Sequence, residues 1–105
     1  MKKTILIVDS DLSNIKKYGK FLSAKNFNVL VATSQKQAVL IAQEKIPDLI
    51  FTPQATKGLN GETIYKSLQK NKKTTNIQFV FSVVKRKVNS LKTTKRITNL
   101  DYITT

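Results

Sequence analysis

The stretch Thr4-Ile5-Leu6-Ile7-Val8-Asp9-Ser10-Asp11 decides the fold. Four unbroken apolar residues after Thr4 form the run that a parallel strand buried on both faces requires, and three short polar residues then end it. Ser10 or Asp11 can cap a helix to about Lys25, with Leu12, Ile15, Gly19 and Leu22 as its inward stripe. Phe27 to Ala32 reads as a second strand. Ser34-Gln35-Lys36-Gln37 has capping-box form and opens a helix that buries Ala38, Ile41 and Ala42. Pro47 stops that helix, and Asp48 to Thr52 forms a third strand. A glycine-containing loop from Pro53 to Gly61 leads into a helix from about Glu62, with Ile64, Tyr65 and Leu68 inward. Phe79 to Val84 is the fourth strand, Lys87 to Arg96 a weaker helix, and Leu100 to Ile103 the fifth strand. Strands alternating with helices predict an α/β fold with an open parallel sheet. Its functional crevice then lies at the carboxyl ends of the strands, near Asp9, Ser10, Pro53, Val83 and Thr105.

Composition narrows the chemistry. A chain of 105 residues holds one domain. The longest apolar stretch is five residues, Ala38 to Ala42, far short of the ~18–20 a spanning helix needs, so no membrane role and a cytoplasmic location are expected. With no cysteine and no histidine, disulfides, thiol catalysis and imidazole chemistry are excluded. No cofactor is implied.

Charge is the outlying feature. Nineteen basic residues face six acidic ones, for a net charge of +13, and residues 66–105 alone carry +9. Nucleic acid, an anionic surface or an acidic protein would each suit such a balance. However, 17 of the 19 are lysine, and recognition of base edges and phosphates favours the planar fork of arginine. The chain is also rich in Asn, Ile and Thr, so compositional drift in an A/T-rich genome explains the lysines equally well.

Four segments in order, Ile5-Leu6-Ile7-Val8-Asp9-Ser10-Asp11, Pro47-Asp48-Leu49-Ile50-Phe51-Thr52, Gly58-Leu59-Asn60-Gly61 and Asp101-Tyr102-Ile103-Thr104, resemble the receiver domain of two-component response regulators. The likeness runs over nearly the whole chain. It implies a flavodoxin-like five-stranded sheet of order 2-1-3-4-5 with helices on both faces.

The resemblance also shows what has been lost. In receivers an Asp at the end of the third strand accepts a phosphoryl group beside bound Mg²⁺, and the matching position is Pro53, which has no nucleophilic oxygen. Of the acidic pair after the first strand, Asp9 remains and Ser10 replaces its neighbour. The switch hydroxyl position is matched by Val83, and Thr105 stands where the family has a Lys. Tyr102 keeps the family's aromatic. These substitutions define a pseudo-receiver and a non-enzymatic, phosphorylation-independent module acting by protein–protein contact. Asp9 is expected to be a carboxylate hydrogen-bonded to loop amides rather than a metal ligand, and strand alternation turns Thr52 away from the pocket.

Lys85, Arg86, Lys87, Lys92, Lys95 and Arg96 lie on or beside the fourth helix, next to Tyr102, on the surface that receivers offer to partners. They form either a solvated face or a docking patch for a protein, an acidic one suiting their charge, with nucleic acid as the alternative partner. The chain is expected to form one domain over residues 1–105 that ends after the fifth strand, without the family's fifth helix. That would bare an apolar patch by the first helix and favour a homodimer through that face.

Overall fold

A computed structural model describes residues 2–53, 55–56, 59–83 and 100–104. Its elements run β1 (Thr4–Val8), α1 (Leu12–Ala24), β2 (Asn28–Ala32), α2 (Gln35–Lys45), β3 (Leu49–Pro53), β4 (Ala55–Thr56), β5 (Leu59–Asn60), α3 (Gly61–Gln69), β6 (Gln78–Val83) and β7 (Leu100–Thr104). The main sheet is parallel, of order β2-β1-β3-β6-β7. This is the expected flavodoxin-like order, with β6 and β7 as the fourth and fifth strands. Within the segment read as a loop, β4 and β5 form a two-residue antiparallel ladder. The predicted helix from Lys87 to Arg96 lies outside the described residues.

The helix starts follow local chemistry. Asp11 caps α1 by accepting from the Ser13 N–H, and Asn60 caps α3 by accepting from the Thr63 N–H. Ser34 accepts from the Gln37 N–H at 3.1 Å. The return contact of this box, however, runs from the Thr33 N–H to Gln37 Oε1 at 2.8 Å, one residue earlier than the motif predicts. At the far end of α3, the buried Thr74 hydroxyl donates to the Leu68 carbonyl at 2.6 Å, satisfying an acceptor that the helix leaves open.

The two faces of the sheet are unequal. On one, Leu6, Val8, Ile50, Phe79 and Phe81 pack beneath Ala38 and Ala42 of α2 and Ile64, Tyr65 and Leu68 of α3. Tyr65 meets Phe79 edge-on at 5.0 Å between ring centroids. On the other, among the described residues, Ile5, Ile7 and Phe51 form the buried apolar cluster, with Ile15, Tyr18 and Leu22 of α1 half-covering them. The stripe of α1 differs from the one expected. Leu12 is 66% exposed and Gly19 meets no neighbour, while Tyr18 takes the inward place. Ile15, Tyr18 and Leu22 follow the i, i+3, i+7 rule, which leaves Leu12 at the mouth of the β1–α1 turn.

Candidate functional site: the carboxyl edge of the sheet

Asp9 follows β1 directly and is 7% exposed. Its Oδ1 accepts from the Asp11 N–H at 2.9 Å, and its Oδ2 accepts from the Asn14 side-chain amide at 3.2 Å. Asp11 in turn accepts from the Ser13 N–H at 2.8 Å. The two carboxylates thus bind the first turn of α1 to the end of β1. Ser10 lies between them, exposed.

Across from Asp9, Pro53 ends β3 and is buried. A recess lined by Ile7, Val8, Asp9, Tyr18, Phe51, Thr52 and Pro53 encloses essentially no free volume at the size of a water molecule. Its wall is the Tyr18 ring, set edge-on to Phe51 with centroids 4.7 Å apart. Thr52 is buried towards α3, its Cγ2 lying where a Cβ on Gly61 would come within 2.9 Å, in keeping with the alternation read from sequence.

Strand register revises one assignment. Pro53 pairs with Ser82, and Val83 lies one step further along, paired with Thr104. The residue of β6 in line with the acceptor position is therefore Ser82, not Val83. A single-residue offset of this kind changes the sheet face that a strand position serves. Tyr102 is in register with Phe81, and Ser82 with Ile103. Thr105 and the basic residues Lys85, Arg86, Lys87, Lys92, Lys95 and Arg96 lie outside the described residues. Sequence reasoning also missed Asn14 and Tyr18. Asn14 carried a faint signal, as a polar residue in the first turn of a helix that follows an Asp.

Mg²⁺, which this fold family implies, needs near-octahedral oxygen ligation and usually one or two carboxylates. The residues present do not fit it. Both Asp9 oxygens already accept protein hydrogen bonds, Asn14 offers N–H rather than oxygen to them, and Pro53 contributes no side-chain oxygen. Among the described residues no three acidic, His or Cys side chains gather into a ligand set.

An open parallel sheet with an Asp at the end of its first strand, facing the end of its third, defines a receiver-like α/β protein. The response regulator receiver domain model matches residues 5–104, and the chain belongs to that family, whose members are signalling modules that interact with other proteins. No curated protein matches the sequence. Among solved structures, the chain is similar to the chemotaxis response regulator CheY4 of Vibrio cholerae, with 14% identity and a TM-score of 0.88 over 99% of this chain and 87% of that one. It is likewise similar to a two-component response regulator from Clostridium difficile, with 23% identity and a TM-score of 0.83 over 98% and 83%. At these identities the likeness is one of fold. Among the described residues no helix is long and apolar enough to cross a membrane.

Proposed function

We propose that this chain is a pseudo-receiver, a cytoplasmic, non-enzymatic module that signals by protein–protein contact and takes no phosphoryl group. The observation that carries the reading is Pro53 at the end of β3, in line with Asp9 and Ser82 but without an oxygen nucleophile. The engaged carboxylate of Asp9 and the closed recess beside it support the same reading. Ser82 then has no phosphoryl oxygen to bond. The partner surface is Lys85, Arg86, Lys87, Lys92, Lys95 and Arg96 together with Tyr102, and an acidic protein suits it. Incubation with acetyl phosphate and Mg²⁺, followed by intact mass and amide shifts, tests this. No mass gain and no shift at Asp9 or Ser82 are expected, and a stable phosphoryl adduct overturns the reading.

A second reading rests on the net charge of +13. It makes the chain a nucleic-acid-associated protein on a receiver scaffold, with affinity that falls steeply as salt rises because counterions are released. Titration of a mixed-sequence duplex across a salt series separates the two. The homodimer expected through the α1 face would show the opposite trend, since salt screens the repulsion between two such charges.

A further inference from the structure

In a parallel sheet whose crossover helices run back against the strands, each helix ends where the next strand begins. The amino ends of the strands therefore gather the carboxyl ends of α1, α2 and α3, at the pole opposite Asp9 and Pro53. Backbone hydrogen bonds tie this pole into one row. The Asn28 N–H donates to the Lys3 carbonyl at 2.9 Å, the Asp48 N–H to the Thr4 carbonyl at 2.9 Å, and the Gln78 N–H to the Asp48 carbonyl at 3.3 Å.

Lysines collect there. Lys2 and Lys3 precede β1, Lys25 caps α1 and Lys45 ends α2. Lys70 caps α3, Lys72 and Lys73 lie in the turn that follows, and all seven are exposed. The acidic groups among them are Glu44, paired with Lys45 at 3.8 Å, and Asp48, whose Oδ2 accepts from the Thr4 N–H at 2.7 Å. Asp101 pairs with Val80, two residues inside the start of β6. At the opposite pole the charges among the described residues are Asp9, Asp11 and Glu62 against Lys36. Compositional drift would spread lysine over both poles. Attraction to helix carboxyl ends accounts for Lys25, Lys45 and Lys70, and leaves Lys2, Lys3, Lys72 and Lys73 without that reason. The turn that carries the last two is held firmly. The Lys73 N–H donates to Asn71 Oδ1 at 2.9 Å, and the Gln69 side-chain amide donates to the Thr75 carbonyl at 2.9 Å. Binding there costs little backbone ordering.

The neighbours of these lysines select the partner. Asn26, Asn28, Asn71 and Asn76 stand exposed between them. The large exposed apolar side chains near this pole are Ile46 and Phe21, and the Lys25 ammonium already lies 5.7 Å from the Phe21 ring centroid. Protein interfaces centre on desolvated aromatic and apolar anchors and are depleted in lysine, which this surface reverses. The same scarcity of apolar anchors gives a bilayer little to hold. A phosphate backbone asks for cations and amide N–H donors, and both are present. Lysine attracts phosphate as a point charge but lacks the fork that reads a base edge. We propose that the amino pole of the sheet binds the phosphate backbone of duplex nucleic acid without sequence preference. The proposal rests on the nucleic-acid reading above and goes beyond it by placing the site on residues other than the cluster from Lys85 to Arg96. The pole that carries Pro53 takes no part in it.

The test titrates the full chain against a labelled mixed-sequence DNA duplex across a salt series, with amide shifts of the ¹⁵N-labelled chain alongside. Shifts are expected at Lys3, Asn28, Lys45, Asn71 and Asn76. With about five lysines on phosphates, the slope of log affinity against log salt should be about −4 to −5. The combined variant Lys70→Gln, Lys72→Gln and Lys73→Gln changes only exposed side chains and should flatten that slope by about 3, with a loss in affinity of about tenfold or more. Removing the same charge from α1, by Lys16→Gln, Lys17→Gln and Lys20→Gln, should cost less than about threefold. A/T-rich and G/C-rich duplexes should bind within about twofold of one another. An equal loss from the α1 variant, or from Lys85→Gln, Lys87→Gln and Lys92→Gln, overturns the placement while the nucleic-acid reading stands. No salt-dependent duplex binding by the parent chain overturns both. Tighter binding through the same lysines to phosphatidylserine vesicles or to polyglutamate, or a marked preference for one duplex sequence, overturns the choice of partner.

Discussion

Gly61, the first residue of α3, lies directly against the backbone carbonyl of Pro53 at the end of β3. A Cβ at position 61 would overlap that carbonyl and approach Phe81 Cε1 to 3.2 Å. The contact lets α3 begin immediately beneath the strand end that faces Asp9. The requirement here is one of space, and the atom in the way is backbone, which cannot rotate aside.

Gly61→Ala is therefore expected to destabilise the fold by about 1–3 kcal/mol, the usual cost of forcing extra volume into a packed site. Its helix propensity alone predicts the opposite, since Ala outranks Gly within a helix. Urea unfolding of the two proteins decides between packing and propensity.

Ile46 caps α2 with φ 44° and ψ 65°, a left-handed conformation that a β-branched residue adopts at a cost. Its side chain is 41% exposed, so little packing is at stake. Ile46→Gly or Ile46→Asn should raise stability by about 0.5–1 kcal/mol, read as a higher thermal midpoint with an unchanged folded spectrum. Asn26, the other non-glycine residue with positive φ at 71°, already suits its position and serves as the control.

Burial raises the Tyr65 phenol above its ordinary value near 10. The folded state therefore holds that proton more tightly than the unfolded chain does. Its stabilising contribution is complete below the unfolded pKa and is lost as pH rises through the folded one. Stability should fall on the alkaline side of pH 10, and Tyr65→Phe should flatten that fall, measured by urea midpoints across the alkaline range.

Pro53→Asp by itself is expected not to create a phosphorylatable site. The second carboxylate of the acidic pair is still Ser10, and Asp9 is still held by Asp11 and Asn14. Adding Ser10→Asp supplies the missing charge and should bring Mg²⁺ binding into the millimolar range. Mg²⁺ titration followed by amide shifts, with acetyl phosphate mass analysis alongside, checks both variants.

How much of this was legible in the sequence depends on the range of the interactions involved. Thr4 to Val8, the caps at Asp11 and Ser34, the inward face Ile64-Tyr65-Leu68 and the stop at Pro47 depend on apolar runs, on side chains bonding to backbone within three residues, and on a ring with no N–H. Each acts over one turn or one strand, so the α/β class followed from the residues in line, while the strand order came only with the resemblance to receivers. That Pro53 offers no side-chain oxygen was equally visible, because it concerns what a side chain can do chemically wherever it is placed.

Tertiary structure alone decided the rest. Whether Ser82 or Val83 stands beside Pro53 is a matter of register between β3 and β6, strands separated by a loop and a helix, and one residue of offset suffices to exchange them. Helical periodicity allows a stripe through Gly19 or one through Tyr18, and packing against Phe51 and Ile7 selects Tyr18. The engagement of both Asp9 oxygens and the gathering of lysines at the amino ends of the strands arise in the same way. Each depends on what distant segments bring to one place, and how tightly they pack there is decided only when the chain has closed on itself.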